Sequence, residues 1–228
     1  CFRISPRAEI TAECNPGTLD GNKAAELYGA GINRISLGLQ SASNLELAML
    51  GRIHTFEEFL ESFGEARKAG FRNINVDLMS ALPGQTVKSW EQTLKKVTAL
   101  HPEHISAYSL MIEEGTPFYT IYHEDELLRE QGEKPGLLPS EEEERAMYEL
   151  TEAFLADRGY RRYEISNYAK PGFACRHNTG YWTRKNYLGL GLGASSLMEN
   201  VRFSNTSEMK VYMEQPFSHT DIQKLDRN

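Results

Sequence analysis

The sequence predicts an α/β fold in which parallel strands and crossover helices alternate around a polar interior, as in a wide or incomplete barrel. Two observations carry this. Strand and helix patterns alternate four times at offsets of roughly 25 to 40 residues, the signature of a parallel sheet with helical crossovers. Each strand also has one Ile/Leu/Val face and one face of Glu, Thr, Ser, Gln, Asn or Asp, whereas an open parallel sheet covered on both sides reads almost continuously apolar.

The elements follow in order. In Ala8 to Pro16 (AEITAECNP), Glu9, Thr11 and Glu13 alternate with Ala8, Ile10 and Ala12, a period-two strand. Asn15-Pro16-Gly17 ends it, because proline removes a ladder donor. Asp20 is placed to cap a helix that runs to about Tyr28, with Gly29 and Gly31 as stop signals. GINRISLGLQS is the second strand, with Ile35, Leu37 and Leu39 on one face and Ser36, Gly38 and Gln40 on the other. A helical turn, Asn44 to Met49, precedes Gly51-Arg52. Thr55 and Glu58 form a capping-box pattern, followed by Phe59, Phe63 and Ala66 at helical spacing and a stop at Gly70. Asn73 to Met79 repeats the strand code, with Asn73, Asn75 and Asp77 opposite Ile74, Val76 and Leu78. Pro83-Gly84 leads into a helix with a Trp90, Leu94, Val97 stripe, and His104 to Leu110 is the fourth strand. From Met111 to Pro139 the pattern loosens into an acidic stretch expected to hold a short helix between long loops. Ser140 and Glu143 open another capped helix, with Met147, Leu150 and Phe154 inward and Gly159 as its stop. Tyr163 to Asn167 (YEISN) is expected as a short strand. Tyr168 to Ser196 is aromatic and glycine-rich, which places the domain boundary near residue 160, between segments 1–160 and 161–228.

The 228 residues suffice for one large domain, or one and part of another. A formal net charge of −7 argues against a broad nucleic-acid surface, which needs clustered cations. Cys1, Cys14 and Cys175 form no C-x-x-C pair, which suits a reducing cytosol. The sequence shows neither a long apolar run nor a basic-then-apolar leader, so the expected location is cytoplasmic. A first residue that is Cys, and an end from Gln215 to Asn228 without a closing element, predict a piece of a longer protein.

Glu13, Gln40 and Asp77 stand at the ends of three successive strands on the polar face, and Arg52 lies just past one of them. One such carboxylate could be an ion-pair partner; three polar residues in the same position suggest a ligand site at the strand ends, where α/β folds bind. Arginine forks onto carboxylates, and Asp or Glu accepts from hydroxyls or ammonium. His177, in CRHNTGYW beside Tyr181 and Trp182, is either a histidine hydrogen-bonded in a loop or an iron ligand with aromatic cover. Gly189, Gly191 and Ala194 match G-x-G-x-x-A, but without a βαβ context a tight glycine turn is the reading. Cys14 reads as a small buried residue. His54, His101, His104 and His123 lack partners at metal-ligand spacing.

Taken together, AECNPGT, GINRISLGLQS, LGRIHT, DLMSALPGQT, SAYSL and HNTGYW resemble the radical S-adenosylmethionine proteins related to oxygen-independent coproporphyrinogen III oxidase. HNTGYW, His177 to Trp182, is similar to the signature of that family's heme-chaperone branch. The resemblance covers nearly the whole chain, with the motifs in family order. It implies an incomplete (β/α)6 barrel with an α+β C-terminal extension. It implies that Glu13, Gln40, Arg52 and Asp77 contact S-adenosylmethionine and that His177 ligates heme. Heme would be held and passed to recipient hemoproteins of the respiratory chain, with a [4Fe–4S] cluster supporting homodimerisation or transfer. The family's C-x-x-x-C-x-x-C motif and upstream glycine-rich motif are absent, so a cluster is expected only in the full-length protein. Ala194-Ser195-Ser196 replaces the family's Ala-His-Ser, and Met79-Ser80-Ala81 replaces an aromatic-glycine pair. Two alternatives remain at this point. One is an oxidase that decarboxylates the propionates of coproporphyrinogen III, which would need upstream cysteines and propionate-binding arginines. The other is an aldolase-like barrel with Glu13 and Asp77 as acid and base, for which no inward lysine is available.

Overall fold

A computed structural model describes residues 3–226; Cys1 lies outside them. Two compact units divide between Ala174 and Cys175.

The first unit is built on a six-stranded sheet of order β1-β2-β3-β4-β6-β5. β1 (Thr11–Cys14), β2 (Arg34–Gln40), β3 (Ile74–Ser80) and β4 (His104–Ser109) run parallel. Between them lie α1 (Gly21–Gly29), α2 (Asn44–Met49), α3 (Phe56–Ala69) and α4 (Val87–Thr98), followed by α5 (Pro117–Glu130) and α6 (Glu141–Ala156). This is the predicted strand–helix alternation. Period two sorts the side chains: Ile35, Leu37, Leu39, Ile74, Val76, Leu78 and Ile105 are fully buried on the outer face. They pack with Phe59, Phe63 and Ala66 of α3, Trp90, Leu94 and Val97 of α4, and Met147 and Phe154 of α6. Each such large side chain contributes about 1.5–3 kcal/mol by burial. The inner face is left for polar residues.

The helix ends are set locally. Asp20 accepts from the Lys23 amide to start α1, and Thr55–Glu58, Thr86–Ser89 and Ser140–Glu143 form reciprocal capping boxes on α3, α4 and α6. Gly70 ends α3 at φ +111, a left-handed conformation.

Some expectations differ. The acidic stretch holds a 14-residue helix, α5, capped by Thr116 with Pro117 in its first turn; that Thr-Pro start signal reads as a loop when only the glycines and prolines around it are counted. Asp125 of α5 then accepts from the amides of Gly136, Leu137 and Leu138, tying down the following segment. Of Tyr163–Asn167 only Asn167 is in a strand; residues 163–166 are the bend of a hairpin between β5 (Arg161–Arg162) and β6 (Asn167–Ala169). There the Glu164 carboxylate accepts from the Ser166 amide, a local bond that competes with ladder pairing. The boundary read near residue 160 falls just before this hairpin, and β6 pairs antiparallel with β4.

The second unit holds α7 (Arg176–Trp182), an antiparallel sheet of β7 (Ser195–Met198), β8 (Val201–Asn205) and β9 (His219–Lys224), and α8 (Met209–Glu214). HNTGYW is thus helical rather than a loop. The glycine run makes a tight turn: a Cβ on Gly189 would lie 2.3 Å from the Ser195 carbonyl oxygen, so only glycine allows that approach. Among the described residues no helix is long and apolar enough to cross a membrane.

Candidate functional site

At the C-terminal ends of β1 to β4 a cavity of about 400 Å³ is lined by Glu13, Gln40, Arg52 and Asp77, together with Asn15, Ser36, Gly38 and Tyr108. Glu13, Gln40, Arg52 and Asp77 thus come together, although Asp77 lies in the middle of β3 rather than at its end. Glu13 stands at an exposed position of β1, and Asp77 is half-buried on β3. Gln40 closes β2 after a register shift between Leu37 and Gln40, an irregularity of the kind that re-aims a side chain. Its φ is +71. The Tyr108 phenol donates to Gln40 Oε1 at 2.8 Å, and burial with the nearby Asp77 charge pushes that phenol up, so it stays a donor. This leaves the Gln40 amide nitrogen beside Gly38, where a Cβ would come within 3.2 Å of it. Arg52 follows α2 through a Schellman ending: Gly51, at φ +68, donates to Ala48, and Arg52 donates to Leu47.

Behind Asp77 runs a chain of polar groups. Ser36 Oγ donates to Asp77 Oδ2 at 3.0 Å, and Asn75 Nδ2 donates to Asp77 Oδ1 at 2.7 Å. Asn75 Oδ1 therefore accepts, and its partner at 2.6 Å is His104 Nδ1, which must carry the proton. His104 Nε2 then accepts from the Tyr163 hydroxyl at 2.7 Å. Burial, with Arg34 adding to it, pushes His104 down to about 3, so this neutral tautomer persists at physiological pH. The donors Tyr163, His104 and Asn75 all point toward the carboxylate. Spacing to other ligand types gives His104 no role; its period-two alignment with Ser106 and Tyr108 on the polar face is the signal that points to it. Cys14 also lines the cavity, and burial raises its thiol, which disfavours the reactive thiolate.

The donor set fits S-adenosylmethionine. Two carboxylates can accept from ammonium and ribose hydroxyls, a guanidinium can take a carboxylate, and Gly38 leaves room beside the Gln40 amide. An iron–sulfur cluster is different: among the described residues no group of three His, Cys, Asp or Glu is arranged to hold a metal ion.

In the second unit His177 lies on α7 with an exposed side chain. Its ring meets the Tyr181 ring edge-on at 4.4 Å, and Tyr181 meets Tyr187 edge-on at 4.5 Å.

Residues 2–97 match the model of the Radical SAM superfamily. Similar relatives are the heme chaperone HemW of Bacillus subtilis, 37% identical over 92% of this chain and 53% of the relative, and HemW of Escherichia coli, 35% identical over 98% and 58%. The mitochondrial radical S-adenosyl methionine domain-containing protein 1 of Bos taurus is 37% identical over 82% of this chain and 40% of the relative. The chain spans about half the length of the curated relatives it matches. Among solved structures, the Escherichia coli coproporphyrinogen III oxidase HemN, described as a radical SAM enzyme, superposes with a TM-score of 0.79 at 24% identity over 99% of this chain and 53% of that one; this shows the shared fold.

Proposed function

We propose that this chain is part of a heme chaperone, which holds heme through His177 and passes it to recipient hemoproteins of the respiratory chain. The observation that carries the reading is the exposed His177 imidazole on α7, set edge-on against Tyr181, in a chain whose curated relatives bear that name. A neutral imidazole is an iron ligand, and an aromatic neighbour can cover part of a porphyrin. Glu13, Gln40, Arg52 and Asp77 would hold S-adenosylmethionine at the strand ends, with Asp77 oriented by Ser36 and Asn75. Bound there, it would supply a sulfonium whose carbon–sulfur bond is open to one-electron reduction. The cluster belongs to the full-length protein in this reading, in which that protein acts in the cytoplasm and forms a homodimer when the cluster is present.

Heme titration of the chain and of His177→Ala, followed by visible absorption, tests the proposal. Saturable binding with a Soret shift is expected for the unsubstituted chain, weakened about tenfold or more in the variant, as for loss of an interaction near 1.4 kcal/mol or above. Equal affinity in the two would remove His177 as ligand.

A further inference from the structure

A second cavity, of about 480 Å³, lies wholly within the second unit, lined by Tyr181, Arg184, Tyr187, Ser195, Leu197 and Arg202 among others. Its wall is built by cross-strand register. Tyr187 and Leu197 exchange backbone hydrogen bonds at 2.9 and 3.0 Å, and Leu197 of β7 stands opposite Arg202 of β8. Residues directly opposite share a face, so a phenol, an apolar side chain and a guanidinium stand in one row, with Ser195 two residues along from Leu197 on the same face. Arg184 also lines the cavity. It follows α7 at φ +50, and its Nη1 donates to the Asp226 carbonyl at 3.0 Å. The Tyr181 ring connects this wall to His177.

The charge of the cavity is distinctive for a chain with a net charge of −7. It has two guanidiniums and no carboxylate in its lining, and among the described residues neither Arg184 nor Arg202 is ion-paired to an acid. A guanidinium is a planar fork suited to a carboxylate, and aromatic rings suit the edge of a flat macrocycle. Heme is such a ligand: an apolar disc with two propionates on one side.

We propose that this cavity is the carboxylate-reading part of the heme site, with Arg184 and Arg202 holding the two propionates while Tyr181 and Tyr187 pack along the macrocycle beside His177. This rests on the heme-binding reading above. It assigns specificity to residues of the second unit alone, and makes recognition of the acid groups separable from ligation of the iron.

The test compares heme with heme dimethyl ester, whose carboxylates are blocked, on the unsubstituted chain and on Arg184→Gln, Arg202→Gln and His177→Ala. The unsubstituted chain is expected to prefer heme by about tenfold, the scale of a charge-assisted hydrogen bond. Each arginine variant should lose about tenfold for heme and no more than about twofold for the ester, with the Soret position unchanged. Equal affinity for heme and its ester, or arginine variants that bind heme normally, would overturn the assignment while leaving the chaperone reading intact if His177→Ala still loses binding. Failure of the unsubstituted chain to bind heme at all would overturn both. The ester comparison requires no substitution, so misfolding of a variant cannot mask the answer.

Discussion

Gln40 holds a backbone conformation, φ +71, that costs a side-chain-bearing residue about 1–2 kcal/mol. The register shift at the end of β2 imposes it, and the hydrogen bond from Tyr108 fixes which end of the amide faces the cavity. Strain of this kind persists where surrounding structure over-determines it. Gly38 is the complementary residue: its missing side chain is what lets the Gln40 amide sit where it does. Gly38→Ala is therefore expected to keep the fold, because overpacking there meets only the end of a flexible side chain. It should weaken S-adenosylmethionine binding by about tenfold, since crowding typically costs about 1–3 kcal/mol. Calorimetry on the cluster-loaded full-length protein would read this, and an unchanged affinity would show that the amide is not a contact.

The helical layer is held by apolar stripes, with a polar tie between α4 and α6. Trp90 is fully buried, and its indole N–H donates to Thr151 Oγ1 at 2.8 Å. That hydroxyl in turn donates to the Met147 carbonyl at 2.7 Å, so one side chain both back-bonds its own helix and satisfies the neighbour. Thr151→Val keeps the shape and leaves the indole donor without its partner. A destabilisation of about 1–3 kcal/mol is expected, read from the urea midpoint at constant slope. A midpoint unchanged within error would mean that the indole finds another acceptor.

For the whole molecule, acid is the informative perturbation. His104 has an ordinary value of 6.5 and is pushed down to about 3 by burial, with Arg34 second. Between those values the unfolded chain takes up a proton that the folded one refuses. The stabilisation is thus complete above pH 6.5 and is lost as pH falls toward 3, at about 1.4 kcal/mol per pH unit. His104→Gln should flatten the fall in stability between about pH 6.5 and 4 relative to the unsubstituted chain, and parallel pH profiles for the two would contradict the assignment. The same protonation would break the donor chain to Asp77, because a histidinium cannot accept from Tyr163.

Local pattern in the sequence was enough for the strand faces, the capped helices and the placing of Glu13, Gln40 and Asp77 on the polar face, though Asp77 falls mid-strand. Period two and the capping geometry are properties of a few consecutive residues, which is why Thr55–Glu58, Ser140–Glu143 and the buried Ile35, Leu37 and Leu39 were legible at once. The α5 start at Thr116, the hairpin at Tyr163–Asn167 and the helical state of HNTGYW were not, because each depends on side-chain bonds or pairing that a period does not encode. Only the tertiary structure showed that Gln40 and Tyr108 meet, that His104 reaches Asp77 through Asn75, and that Tyr187, Leu197 and Arg202 form one row. Periodicity tells which way a side chain points; register between strands, set by the packing of helices on the outer face and by turn geometry, decides what it meets there.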